Sequence, residues 1–176
     1  MMRAQIVYES MFGNTAAVAE AIADGLRPHF EVTMCPVAEA AGRPAPQVDL
    51  LVVGAPTHAF GLSRAATRQD AAGQTDSPVE IEIGIREWLD AALPVPSPRL
   101  AAAFGTKIAH PPWLPGSAAK GIGKRLRHLG YHLAAAPADF HVEDMTGPLR
   151  AGELERATAW AAQLATTEPT LPRTPR

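Results

Sequence analysis

At 176 residues the chain has the length of one domain with a sizeable core. Hydrophobic residues make up 47% and charged residues 19%, a globular composition rather than a disordered one. A net charge of -2 gives no general drive toward nucleic acid or a membrane surface. No 18-residue apolar run is present, and the first residues lack a basic region followed by a long apolar stretch. The lone Cys35 excludes an internal disulfide and favours a reducing compartment, so the expected setting is soluble and cytoplasmic. With no lysine or arginine adjacent, Cys35 reads as a small buried hydrophobe beside a strand.

In chain order, Arg3 to Tyr8 is the first expected strand, and its apolar end predicts burial on both faces. A helix follows from about Thr15 to Leu26, with Val18, Ile22 and Leu26 on one face and Glu20 and Asp24 off it. Pro28 stops that helix. Phe30 to Met34 alternates apolar with polar residues and reads as an edge strand. Ala38 to Gln47 contains Gly42, Pro44 and Pro46 and reads as a connection with room for one helical turn. Asp49 to Gly54 is a continuous apolar run and reads as a central strand.

Arg64 to Gln74 is either a loose insertion or a weak helix. Ser77-Pro78-Val79-Glu80 carries a helix-start signature, while the alternation Ile81, Ile83, Ile85 opposes a helix that early, so a start anywhere from 78 to 84 is allowed. Ile85, Trp88, Leu89 and Leu93 keep the helical spacing. After Pro94, Pro96 and Pro98, Leu100 to Phe104 is a buried strand whose small side chains allow close approach. Gly105 to Gly116 is a long loop. Ser117 caps a helix to Leu129 that Gly130 closes, with Lys120, Lys124, Arg125 and Arg127 mostly outward as a solvated face. Tyr131 to Ala136 is the last expected strand, followed by an irregular segment through Pro148 and a helix from about Gly152 to Ala165. The domain is expected to span 1–165, and Thr166 to Arg176 to be a disordered tail.

This alternation predicts an α/β, doubly wound, five-stranded parallel sheet of strand order 2-1-3-4-5 with helices on both faces. Ligands bind such sheets at the carboxyl ends of strands one and three, where the order reverses. Two loops stand there: Ser10 to Thr15 and Pro56 to Gly61. The first, S-M-F-G-N-T, joins a strand directly to a helix and offers hydroxyls at Ser10 and Thr15, an amide at Asn14 and the flexible Gly13, with no acidic residue. Free amides at a helix start suit a phosphate. An ordinary turn with Ser10, Asn14 or Thr15 as helix cap accounts for the same residues.

Tyr8 to Thr15, Y-E-S-M-F-G-N-T, resembles the phosphate-binding loop of the flavodoxin family, and Ala16 to Ala23 is similar to that family's first helix. The resemblance covers most of residues 3–165, strongest in this loop. It implies noncovalent FMN, with Ser10, Met11, Phe12, Gly13, Asn14 and Thr15 around its phosphate. Pro56, Thr57, His58, Ala59, Phe60 and Gly61 would lie along one face of the ring, and Phe104, Gly105, Thr106, Lys107 and Trp113 along the other face or polar edge. Thr57 would donate to phosphate or ribityl oxygen, and His58, Phe60 and Trp113 are the stacking candidates, Trp113 being equally placed to cap the core. Of the six histidines only His128 and His132 stand at i, i+4, with the helix-closing Gly130 between them, and there is no cysteine cluster, so no metal is expected.

The chain departs from typical flavodoxins in one respect: residues 10–15, 56–61 and 104–116 contain no Asp or Glu. Lys107 lies there, with Arg64 and Arg68 just beyond the second loop. A cation near the N1-C2=O edge of reduced flavin would make the second-electron potential less negative, unless Lys107 points into water. Three functions remain open. One is electron transfer between redox partner proteins. Another is an FMN-dependent NAD(P)H oxidoreductase reducing a quinone or similar small-molecule acceptor, with Lys107, His58 and His110 polarising oxygens. The third is an interaction module without FMN. A receiver domain lacks its second acidic position at Gly54-Ala55-Pro56, and a low-molecular-weight phosphatase lacks its Cys and Arg in Ser10 to Thr15. No G-x-x-x-x-G-K-[ST] or G-x-G-x-x-G occurs, and Gly121-Ile122-Gly123-Lys124 falls inside a helical pattern.

Overall fold

The order of elements is β1 (Met2–Tyr8), α1 (Asn14–Leu26), β2 (Phe30–Pro36), α2 (Val37–Ala40), β3 (Leu50–Pro56), α3 (Ala65–Ala72), α4 (Ile85–Asp90), β4 (Arg99–Ile108), α5 (Ala118–His128), β5 (Tyr131–Leu133), β6 (Ala138–Val142) and α6 (Glu153–Thr166). The computed structural model describes residues 1–58, 60–109 and 115–167. Ala59, His110, Trp113 and the segment 168–176 lie outside the described residues.

Every strand pairing is parallel, and the sheet runs β2-β1-β3-β4-β5, as the alternation of elements predicts. The central strands are apolar throughout because both of their faces are covered. Leu50, Val52, Ala102 and Phe104 point toward α1 and α6, where Val18, Ile22, Leu26, Ala157 and Ala161 complete one core. Leu51, Val53, Ala101 and Ala103 point the other way, onto Ile85 and Leu89 of α4 and Ile122 and Leu126 of α5. Each fully buried aliphatic side chain contributes about 1.5–3 kcal/mol.

Two glycines set the packing distances. A Cβ at Gly54 would fall 2.0 Å from the Phe104 ring, so this ring lies directly over the β3 backbone. At Gly25 a Cβ would fall 2.4 Å from the Thr158 carbonyl oxygen and 2.7 Å from Ala161 Cβ, and α1 and α6 meet there with backbones in contact.

Four sequence expectations are refined or corrected. Arg64 to Gln74 does form a helix, α3, whose Arg68 is wholly buried. The helix expected to start between 78 and 84 starts at Ile85; Glu87 Oε2 accepts from the Gly84 amide at 3.0 Å and closes its first turn. It ends at Asp90, leaving Leu93 81% exposed and outside the helical face. β4 continues four residues past Phe104, which shortens the loop expected from Gly105. The last strand is not one run over 131–136. β5 pairs with Arg99 to Ala101, the chain leaves the sheet, and β6 resumes beside Phe104 to Ile108 within the segment read as irregular. Phe140 and Val142 on alternate positions of β6 are the buried pair that draws it back.

Candidate functional site

β1 delivers the chain to the start of α1 at the end of the sheet where β3 also stops. Gly13 occupies the helix cap position with φ +88°, a left-handed conformation that suits glycine, and nothing lies within 4 Å of where its side chain would be. Ser10 Oγ accepts from the Ala16 amide at 3.2 Å. Among the described residues, the amides of Phe12 to Thr15 have no acceptor, and the first turn holds no acidic side chain. These amides and the helix dipole together make an anion cradle. Thr15 is 2% exposed, and its hydroxyl meets that of Thr106 at 2.9 Å, tying α1 to β4. Asn14 turns outward and donates to the Thr146 carbonyl at 3.2 Å, so it holds the turn after β6 against α1.

The second loop is a tight turn in which the His58 and Gly61 amides each donate to the other's carbonyl, at 2.7 and 3.0 Å. Phe60 takes φ +73° and is 58% exposed at its tip. Gly116 packs against it so closely that a Cβ would fall 2.0 Å from the Phe60 carbonyl oxygen. The Thr57 hydroxyl accepts from the Ala118 amide at 3.0 Å and so anchors α5, while its own O–H remains a donor on the cavity wall. His58 Nδ1 is 3.3 Å from Thr67 Oγ1, and burial, then the Arg68 charge, lower its pKa below the ordinary histidine value. Its neutral ring is a polar contact.

These elements enclose a cavity of about 470 Å³. Met11, Phe12, Asn14, Thr15, Pro56, Thr57, His58, Phe60, Thr106 and Lys107 line it, ten of the residues singled out in the sequence. Ser10, Gly13 and Gly61 belong to the same turns but are not among the residues that line the cavity. Phe104 lies in the α1/α6 core, and Gly105 faces α5, where a Cβ would be 2.9 Å from the Ala119 amide. Other lining residues went unsingled: Thr67, Asp70 and Ala71 on α3 with Gln74 just past its end, Ile108 and Gly116, and Val142 and Met145 near the end of β6. Thr67, Asp70, Ala71 and Gln74 recur at i, i+3, i+4 and i+7, the period of one helical face, which is the signal available for them.

The charges are arranged unlike a bare reading of the loops. Lys107 Nζ donates to the Gly116 carbonyl at 2.9 Å and lines the cavity rather than trailing into water. Asp70 supplies a carboxylate from α3 where the three loops have none. Arg68 does not face the cavity. Its Nη1 donates to Ser63 Oγ at 2.9 Å, its Nη2 to Glu87 Oε1 at 3.0 Å and its Nε to the Ile81 carbonyl at 3.0 Å. Ser63 Oγ in turn donates to Glu9 Oε2 at 2.6 Å, and Glu9 Oε1 accepts from the Ile85 amide at 2.8 Å. Burial raises the Glu9 pKa against the opposing pull of these bonds and of Arg68. This buried network fastens the residue after β1, α3 and α4 into one wall behind the second loop.

A flavodoxin family model matches residues 6–86. Solved structures with the same fold include a flavodoxin from the domain Archaea, at 20% identity and TM-score 0.62 over 93% of this chain and 96% of that one. Oxidised Flavodoxin 2 from Bacillus cereus aligns at 18% identity and TM-score 0.61, over 93% of this chain and 97% of that one. A flavodoxin, WrbA-like protein from Agrobacterium tumefaciens gives 20% identity and TM-score 0.59, over 94% and 96%. A comparison with curated protein sequences finds no match. Residues 6–86, the part that the flavodoxin family model matches, contain both the turn at the start of α1 and the second loop, and the chain as a whole has the flavodoxin fold.

Proposed function

We propose that this chain binds FMN noncovalently in the cavity and transfers electrons through it. The observation that carries the reading is the set of free amides at the start of α1, opening onto a cavity of about 470 Å³ where β1 and β3 end. The residues fit the group: Phe12 to Thr15 offer backbone donors, and Ser10 and Thr15 add hydroxyls without adding negative charge. Met11, Pro56 and Phe60 offer apolar contact for a ring, while Lys107 and Asp70 place one charge of each sign on the wall. FMN, when bound, supplies one- and two-electron redox chemistry. The protein's part is to hold the phosphate, exclude water from the apolar wall and fix Lys107 through Gly116. No helix among the described residues is long and apolar enough to cross a membrane, and the single cysteine supports a reducing, cytoplasmic setting.

A second reading, an FMN-dependent NAD(P)H oxidoreductase acting on a quinone or similar acceptor, is supported by His58 and Lys107 standing on the cavity wall. Bleaching by NADPH alone would select it, and reduction only through a partner reductase would select the carrier. The first experiment is a titration of the apoprotein with FMN and riboflavin, repeated on a Ser10→Ala, Thr15→Ala double variant. We expect FMN to bind at least about tenfold more tightly than riboflavin and the double variant to lose most of that margin. Equal affinity for the two flavins would remove the phosphate cradle. Absence of flavin binding would leave the chain as an interaction module.

A further inference from the structure

The chain is acidic overall at -2, yet one lip of the cavity mouth is strongly basic. Arg86 is pinned beneath the residues that follow the second loop: its Nη2 donates to the Leu62 carbonyl at 2.8 Å and its Nε to the Ser63 carbonyl at 3.2 Å. Leu62 packs on α5 at Gly121, where a Cβ would be 3.6 Å from it. Arg125, one turn along α5, reaches the Gly121 carbonyl at 3.4 Å and Asp90 Oδ1 at 2.8 Å. Arg125 and Arg64 both stand close enough to lower the Arg86 pKa, after burial, with Asp90 and Glu87 opposing. Glu87 is bound to Arg68. Lys120 and Lys124, both exposed, extend the field one step round α5. The exposed Phe60 marks where this lip meets the cavity. Across the mouth, the turn after β6 carries Glu143 and Asp144 beside Met145, so the opening is polarised.

We propose that the lip formed by Leu62 to Arg64, Arg86 and the first two turns of α5 docks an acidic face of a redox partner protein beside the cavity mouth. The proposal rests on the electron-transfer reading for the partner's role, while the surface itself can be tested without flavin. Charge complementarity of this kind steers encounter and fixes orientation more than it adds affinity. The cations are spread over three elements, and Arg86 and Arg125 already hold carbonyls or Asp90, an arrangement for a broad potential rather than for gripping one small anion. An anionic membrane is disfavoured because, among the described residues, Phe60 is the one large apolar side chain this lip exposes, which leaves little to insert.

The test is amide chemical-shift mapping of the full chain, with and without FMN. The probes are an acidic ferredoxin, a lysine-rich cytochrome c and vesicles containing phosphatidylserine. We expect ferredoxin to perturb residues 60–64, 86–90 and 117–125, and its affinity to fall about tenfold or more between roughly 50 and 300 mM salt. An Arg64→Glu, Lys120→Glu, Lys124→Glu variant, none of whose positions line the cavity, should lose about tenfold in ferredoxin affinity and keep its FMN affinity. Ferredoxin shifts mapping elsewhere, cytochrome c binding the same lip equally well, or vesicles binding where ferredoxin does not would each overturn the proposal. Ferredoxin docking at the lip of a protein that takes up no FMN would uphold the surface and remove the electron-transfer reading alone.

Discussion

Replacing Gly84 by alanine should destabilise the protein without touching the cavity wall. The backbone is extended there, at φ -128° and ψ 178°, so alanine meets no conformational penalty. Its Cβ, however, would stand 2.5 Å from Glu9 Oε1, 2.6 Å from Arg68 Nη1 and 2.8 Å from Ser63 Oγ. None of the three can retreat into solvent, since Glu9, Arg68 and Ser63 are 2%, 1% and 0% exposed. Either the Glu9 carboxylate leaves the Ile85 amide or the Arg68 guanidinium leaves Ser63. A hydrogen bond to a charged group contributes about 1.5–3 kcal/mol, and forcing a methyl into a packed interior costs about 1–3 kcal/mol. The two costs overlap, so we expect a loss of about 2–4 kcal/mol.

Urea unfolding at neutral pH measures that loss, with an unchanged slope and a midpoint temperature lowered by roughly 5–15 °C. Shortening Glu9 to alanine opens the space, so Gly84→Ala in that background should cost less than about 1 kcal/mol. A loss below about 0.5 kcal/mol in the parent chain, or the same loss in both backgrounds, would refute the reasoning.

The remaining expectations concern other parts of the molecule. Gly25→Ala should destabilise by more than about 2 kcal/mol by urea unfolding, because its Cβ meets the Thr158 carbonyl oxygen and Ala161 Cβ rather than a movable side-chain end. Glu153 accepts from the His141 amide at 2.6 Å and from Arg156 Nε at 2.9 Å, and the Arg156 bond first, then the His141 amide, hold its pKa below the ordinary 4.5. Its stabilisation is present above about pH 4.5 and is lost as pH falls through the lowered value. Glu153→Gln should therefore cost about 1 kcal/mol at pH 7 and progressively less below pH 4, and a deficit that is flat across a pH series of unfolding curves would count against it. If FMN occupies the cavity, Lys107→Gln should make its midpoint potential more negative and Asp70→Asn less negative, each by tens of millivolts at about 59 mV per 1.4 kcal/mol for one electron. Spectroelectrochemical titration reads both, and shifts of the same sign would refute the charge assignment.

The strand order and the strand-turn-helix at Ser10 to Thr15 were legible because their signals are local and redundant. Ile6-Val7-Tyr8 ends in a glycine-bearing turn and enters a helix with a clear apolar face, and each of β3 and β4 has the unbroken apolar run that two-sided burial demands. The interrupted edge was less legible. Ala134 to Ala136 follows Tyr131 to Leu133 with no turn residue before Pro137, so composition carries no sign that the chain leaves the sheet there, although Phe140 and Val142 already show the period of two. The Ser77-Pro78 signature lost to Gly84 and Glu87 because Glu87 is drawn toward Arg68, a contact made across nineteen residues. The buried network was invisible for the same reason. Glu9, Ser63, Arg68 and Glu87 each read as ordinary polar residues, and only the fold brings them together. Asp70 and Gln74 were missed because the period they share with Thr67 and Ala71 means something only once α3 is assigned as a helix.

The break between β5 and β6 divides the border of the sheet into two pieces that need not move together. β5 seals the lower border, while β6 is held to β4 along five residue pairs and carries Val142 and the turn with Met145 and Thr146 up to the cavity. The chain detours between them, so the two pieces pair with different stretches of β4, Arg99 to Ala101 and Phe104 to Ile108. The upper piece is also tied to α1 directly, where Asn14 Nδ2 donates to the Thr146 carbonyl. The far side of the cavity, at Val142 and Met145, is thus built on the sheet's border and is placed by the pairing of β6 with β4.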